Sequence, residues 1–211
     1  KVEWIHSEKI NNSTVKEKLK NLFGILVAPG FGDRGMEGKI ASIKHVRENN
    51  IPFFGICLGM QSAVIEFSRN VLKLKNADST EMNINTKYPV IDLMKNQKNI
   101  NEKGGTMRLG AYRCKLVNKS IAKSAYKKNN ISERHRHRFE LNNKYKTKLE
   151  KAGMVASGIN EKNNLVEIIE IPKHRWFIGV QFHPEYKSTV SQPHPLFINF
   201  IDACLKYKSN G

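Results

Sequence analysis

Cysteine is scarce: Cys57, Cys114 and Cys204 are the three among 211 residues, with neither close pairing nor metal-ligand spacing. That excludes a disulfide scaffold and points to free thiols in a reducing compartment. No stretch is long and apolar enough to span a bilayer, and the first residues form no signal-peptide apolar core. The expectation is a cytoplasmic protein with no membrane role. Neither a G-x-x-x-x-G-K-[ST] phosphate loop nor a G-x-G-x-x-G fingerprint occurs, so the usual nucleotide-cradling motifs are missing. Acidic residues are also few, 19 against 36 Lys and Arg, which leaves a net charge of +17. Such a surplus suits nucleic acid. Here, however, the lysines are scattered among asparagines, as in Lys95-Asn96-Gln97-Lys98-Asn99 and Lys127-Lys128-Asn129-Asn130. There is no continuous basic helix and no arginine–aromatic platform for base stacking, so no nucleic-acid partner is expected.

What is present reads as one α/β domain of ample core. Val2 to Ile5 predicts a short strand, and Val15 to Phe23 a helix with Leu19 and Leu22 inward. Gly24 to Ala28 is a continuous apolar run of the kind a parallel strand covered on both faces requires. It ends in the glycine-recurrent loop Pro29 to Gly35. Ile40, Ile43 and Val46 mark a helix over Met36–Asn49, and Ile51 to Ile56 is the next strand, followed by a helix to about Val71. This order predicts a doubly wound, mostly parallel central sheet flanked by helices, with a small antiparallel addition. Ligands bind such sheets beyond the strand carboxyl ends, where the Gly30 and Cys57 loops lie together.

Further along, Asp78 to Glu81 predicts a polar loop and Val90 to Met94 a strand. Lys95 to Lys103 predicts an exposed charged excursion. Gly104 to Gly110, with glycines bracketing Met107 and Arg108, suits a hinged flap or a short hairpin against a partner, with Arg108 facing it. Tyr112 to Val117 alternates as an antiparallel strand. In Glu133 to Glu140, strand periodicity puts Arg134, Arg136 and Arg138 on one face and His135, His137 and Phe139 on the other. The arginine row suits carboxylate or phosphate. No Cys or Asp cluster completes a metal site around the two histidines. Tyr145–Ala152 predicts a helix closed by Gly153, Met154–Ser157 a short strand, and Leu165–Ile171 with Trp176–Phe182 a strand pair. Pro195–Tyr207 closes the chain as a helix with a stripe of Leu196, Phe197, Phe200, Ile201 and Leu205.

The chemistry centres on Phe53-Phe54-Gly55-Ile56-Cys57-Leu58-Gly59-Met60-Gln61, a strand–turn–helix with a thiol at the tip. Gly55 and Gly59 permit a sharp bend and close approach. The helix N-terminus behind Cys57 is expected to lower its pKa and to stabilise an oxyanion. Amides of Gly30 and Leu58 are the candidate oxyanion donors. Of seven histidines, His183 stands apart because it caps an apolar strand, Pro184 stiffens the exit and Glu185 follows two residues on. Glu185 can then accept the second imidazole N–H and support the imidazolium. Cys57, His183 and Glu185 form a candidate triad of nucleophile, base and orienter.

Gly-Ile-Cys-Leu-Gly-Met-Gln at 55–61 with Val-Gln-Phe-His-Pro-Glu at 180–185 resembles the class I glutamine amidotransferases. Three further stretches, 76–81, 104–110 and 133–139, are similar to the glutaminase domains of the CTP synthase family. The resemblance implies that Cys57 attacks the amide of L-glutamine, with His183 and Glu185 as base and acid and Gly30 and Leu58 on the oxyanion. It implies that Gly30, Leu58, Gly59, Met60, Gln61, Glu81 and Arg138 bind glutamine, Glu81 suiting the ammonium and Arg138 the carboxylate. It also implies no cofactor and no metal in this domain, but ATP and Mg in an N-terminal synthetase domain that aminates UTP, GTP as allosteric activator, and a homotetramer. Residues 1–211 are then one glutaminase domain without its first strand and helix and without the synthetase domain. The chain departs from the family's Pro-Gly-Gly-Phe-Gly loop: Ala28-Pro29-Gly30 puts a proline, which has no N–H, where a donor could stand. A free-standing γ-glutamyl hydrolase and a non-catalytic regulatory module remain alternatives on the same residues.

Overall fold

The computed structural model describes residues 1–93 and 107–209. The elements in chain order begin with α1 (Val15–Lys18), β1 (Ile25–Val27), α2 (Met36–Glu48), β2 (Phe53–Ile56) and α3 (Leu58–Asn70). There follow β3 (Ala77–Ser79), β4 (Tyr88–Leu93), β5 (Arg108–Leu116), α4 (Ile121–Tyr126), β6 (Asn130–His137) and β7 (Phe139–Leu141). The chain closes with α5 (Asn143–Ala152), β8 (Val155–Asn160), β9 (Leu165–Glu170), β10 (Phe177–Val180) and α6 (Pro195–Ser209).

The main sheet runs β1-β2-β10-β9-β8-β5-β6. Side-chain alternation along β2 divides the core in two. Phe53 faces the cluster that includes Ile40, Ile43 and Val46 of α2 and Met60, Ala63 and Val64 of α3. Phe54 and Ile56 face the opposite cluster, with Leu196, Phe200 and Ala203 of α6 and Ala122 and Ala125 of α4. Helices therefore cover both faces, as a doubly wound sheet requires. A second, three-stranded sheet, β3-β4-β7, lies beside α3.

The proportions differ from expectation. Parallel pairing joins β1, β2 and β10, while β10-β9, β9-β8, β8-β5 and β5-β6 are antiparallel. The antiparallel part is thus the larger portion of this sheet, and the parallel part is the portion that carries the Cys57 turn. Val2–Ile5 forms no strand, since Val2 and Trp4 stay in solvent, Trp4 at 88% exposure, and bury no apolar face that would reward pairing. The helix expected to reach Phe23 ends at Lys18, with Leu19 still buried beneath it. The polar segment at 78 contributes β3, which pairs in parallel with β4. On α6, Leu196 and Phe200 point inward as expected, but Ile201 and Leu205 are exposed and Ala203 takes the inner position. Residues 95–103 and the first three residues of the glycine-bracketed segment lie outside the described residues.

Candidate active site

The turn at Cys57 is set by three residues. Cys57 itself has φ 52° and ψ −103°, a positive-φ conformation that costs a non-glycine residue roughly 1–3 kcal/mol. Gly55 and Gly59 make it possible. A Cβ on Gly55 would lie 2.7 Å from the Gly59 carbonyl carbon and oxygen, and one on Gly59 would lie 2.3 Å from the Val27 oxygen. The backbones of β1, β2 and α3 therefore meet without side chains between them. The Cys57 N–H donates to Val180 O at 2.7 Å, and its carbonyl accepts from Gln61 N–H at 3.1 Å, locking the turn to β10 and α3.

At this turn, Gly30, Cys57, Gln61, Glu81 and Arg138, from separate points of the chain, line one pocket. Phe31, Met107, His137 and Phe139 complete its wall. Gly30 adjoins Leu58, for a Cβ there would come within 3.3 Å of Leu58 Cδ2. Glu81 also steadies the glycine loop, accepting from the Gly32 N–H at 3.1 Å. Leu58, Gly59 and Met60 do not line the pocket: Leu58 is almost fully buried, Gly59 packs on Val27 and Met60 is fully buried in the core.

His183 follows β10, its N–H donating to Arg134 O at 2.8 Å. Its Nδ1 lies 2.6 Å from Glu185 Oε1, the pairing expected of an orienting carboxylate. His183 Nε2 is buried and has no hydrogen-bond partner among the described residues. With Nδ1–H donated to Glu185, Nε2 keeps its lone pair and can take a proton. The ring stacks on Tyr186 at 4.7 Å, which fixes its plane.

The expected acid Cys57 thiol is not found. Burial pushes the thiol up to about 12, the Leu58 N–H draws it down, and the carboxylates of Glu185, Glu140 and Glu81 push it further up. The helix-terminus effect is present, but desolvation of a side chain in a site only 2% exposed outweighs it. With its thiol raised this far, Cys57 can act as a nucleophile only if a base takes its proton.

Arg108 is the second correction. It is 4% exposed, and it bonds Glu140 at 2.8 Å and Glu167 at 2.8 Å instead of facing outward. His135 and His137 sit beside it, joined Nδ1 to Nε2 at 2.8 Å. Burial and the guanidinium hold both imidazoles well below the usual histidine range. The expected alternation holds through His137, with Arg134 and Arg136 exposed and the histidines buried. A bend at Arg138 then breaks the arginine row and brings that residue alone to the pocket. Among the described residues no group of three or more His, Cys, Asp or Glu is arranged to hold a metal.

One residue at this site was not assigned a role from sequence. Gln181, fully buried, places Nε2 at 3.7 Å from Cys57 Sγ. A polar side chain closing an otherwise apolar strand was the available signal.

Comparison with known proteins agrees with this geometry. Residues 1–203 match the family model for glutamine amidotransferase class-I. The CTP synthase of Christiangramia forsetii is 63% identical over 202 residues, and that of Flavobacterium johnsoniae 61% identical over 201. These matches cover 96% and 95% of this chain but 37% of each relative, so the chain spans little more than a third of their length. Among solved structures, the glutaminase domain of Trypanosoma brucei CTPS with bound acivicin superposes with a TM-score of 0.92 at 39% identity. That match covers 98% of this chain and 81% of the other.

Proposed function

The chain belongs to the class I glutamine amidotransferase family, and from that premise we propose that it is the glutaminase domain of a CTP synthase. The observation that carries the reading is the shared pocket in which Cys57 meets Gly30, Gln61, Glu81 and Arg138, with the His183–Glu185 pair close enough for the Glu185 carboxylate to act on the Cys57 thiol.

In this reading Arg138 binds the α-carboxylate of L-glutamine and Glu81 its ammonium, leaving the side-chain amide at Cys57. His183 Nε2 takes the thiol proton, and Glu185 supports the imidazolium. Sγ attacks the carboxamide carbon, and the oxyanion falls to the Gly30 and Leu58 amides, Pro29 having none to offer. The imidazolium returns its proton to the departing nitrogen, so ammonia leaves and a γ-glutamyl thioester remains. Water, deprotonated by the same imidazole, then releases glutamate and restores the thiol. Gly59 and Met60 serve as scaffold for the turn. The ammonia aminates UTP in a separate ATP- and Mg-dependent synthetase domain of a cytoplasmic homotetramer, with GTP as activator.

The test uses the full-length protein. Acivicin, held by the trypanosomal domain, is expected to add to Cys57, located by mass spectrometry. Cys57→Ala is expected to abolish glutamine-dependent CTP formation while leaving formation from added ammonia intact. Glutamine hydrolysis that survives Cys57→Ala would refute the reading.

A further inference from the structure

We propose that the Gln181 carboxamide is a catalytic donor to the Cys57 sulfur, holding it as thiolate in the interval between proton loss and attack. The proposal deepens the glutaminase reading and rests on Cys57 being its nucleophile.

The orientation of Gln181 is dictated by a main-chain group. Gln61 Nε2 lies 3.0 Å from Phe139 O, a carbonyl that can only accept, so Gln61 directs its NH2 group there. The same NH2 group lies 3.2 Å from the Gln181 amide, which must answer with Oε1. Gln181 Nε2 is thereby turned toward Sγ, at 3.7 Å. The Gln181 backbone is fixed as well, its N–H donating to Glu167 O at 2.8 Å. Nothing in this chain of contacts is free to rotate without orphaning a buried polar group.

A fixed donor facing sulfur discriminates between its protonation states. A thiol sulfur is a weak acceptor, whereas a thiolate is a strong, charge-assisted one. The thiolate needs such help here, because Cys57 is buried and three carboxylates act against a negative sulfur. Leu58 N–H is the other favourable contact. Once the thioester forms, the sulfur loses its charge and the donor has little left to hold. The interaction is therefore stronger in the reactive state than in either neutral state, which is the condition for a catalytic contribution. Gln61 lines the substrate pocket, so the amide chain also links that pocket to the sulfur.

The test is the rate at which iodoacetamide alkylates Cys57 in the full-length protein, read by mass spectrometry of the Cys57 peptide without glutamine or turnover. Below its pKa a thiol reacts in proportion to its thiolate fraction, partly offset by the higher nucleophilicity of a more basic thiolate. Losing a hydrogen bond to a charged group corresponds to a rise of about one to two pKa units, so Gln181→Met is expected to slow alkylation about four- to fifteenfold. Gln181→Glu keeps the size and still accepts from Gln61, but turns a carboxylate oxygen toward sulfur, and it is expected to slow alkylation at least as much. Unchanged rates overturn the proposal, and so does slowing in the Met variant alone, which would assign the effect to shape. Faster alkylation in either variant, the sign of an opened fold, assigns Gln181 a packing role and overturns it too. Failure of the glutaminase reading would appear separately, as the absence of an acivicin adduct on the parent Cys57.

Discussion

Gly59→Ala tests whether the close approach of three backbones is what holds the nucleophile in place. An added Cβ would lie 2.3 Å from Val27 O, 3.1 Å from Val27 C and 3.2 Å from Val27 Cβ. Ordinary contact begins near 3.4 Å, so α3 and β1 must separate by roughly 1 Å. Neither yields easily, because Leu58 to Ser68 of α3 are all buried and β1 is hydrogen-bonded along β2. At an unobstructed helix position the same substitution stabilises by up to about 1 kcal/mol, through helix propensity. Overpacking against a main-chain oxygen costs about 1–3 kcal/mol, and the backbone contact at 2.3 Å puts this position at the upper end, for a net loss of about 2 kcal/mol once the propensity gain is subtracted. For a chain of this size that lowers Tm by several degrees. The catalytic effect is expected to be larger than the effect on stability. A nucleophile displaced by about 1 Å loses on the order of a hundredfold in rate. Urea unfolding and glutamine hydrolysis measured side by side on the variant provide the assay. A variant more stable than the parent, or one with undiminished turnover, would refute the packing argument.

Four other outcomes follow from the geometry. Glu185→Gln removes the charge that supports the His183 imidazolium at 2.6 Å, and is expected to lower kcat for glutamine hydrolysis by about 10²–10⁴ with KM little changed. Arg138→Met is expected to raise KM for glutamine about 10- to 100-fold with a smaller effect on kcat, measured by steady-state hydrolysis; a kcat defect at unchanged KM would contradict its binding role. Arg108→Met leaves Glu140 and Glu167 buried without their cation and is expected to destabilise by about 3–5 kcal/mol in urea unfolding. The same cluster makes stability depend on pH. His135 and His137 are held neutral, so their contribution is lost as pH falls below about 6.5, whereas burial raises Glu140 to about 8, so its contribution is lost as pH rises from about 4.5 through 8. Burial raises Glu167 as well, so two histidines and two carboxyls oppose each other between about 4.5 and 6.5 and the cluster's carboxyls alone act above that, which makes stability fall as pH rises past about 6.5. Glu140→Gln is expected to flatten the alkaline side of a Tm series; a curve parallel to the parent would count against the assignment.

The parts of this site that were legible in the sequence are those encoded over short distances. Gly55, Cys57 and Gly59 specify the turn within five residues, and His183 with Glu185 specifies an imidazole–carboxylate pair within three. Alternation from Arg134 to His137 separated the two faces of β6, because period two is a local property. What failed was set at long range. Arg108, flanked by glycines, read as a flap residue because its two carboxylate partners lie 32 and 59 positions away on β7 and β9. The Cys57 thiol read as acidic because the helix start is adjacent in sequence, while the burial and the three distant carboxylates that reverse the sign are not. The sheet read as mostly parallel for a related reason. The β1–α2–β2–α3 rhythm near the start is parallel, but β5, β6, β8 and β9 declare their direction only through partners far along the chain.

Gln181 sits between these cases. It is two residues from His183, yet its significance depends on Gln61, 120 positions away, and on the Phe139 carbonyl that orients Gln61. A buried amide at the end of an apolar strand must be satisfied on both of its ends. In this molecule satisfying one end with Gln61 leaves the other end facing the Cys57 sulfur. The hydrogen-bond requirement that fixes the fold at this point is therefore the same requirement that aims a donor at the nucleophile, and a substitution at Gln181 should separate the two by changing Cys57 reactivity more than it changes unfolding.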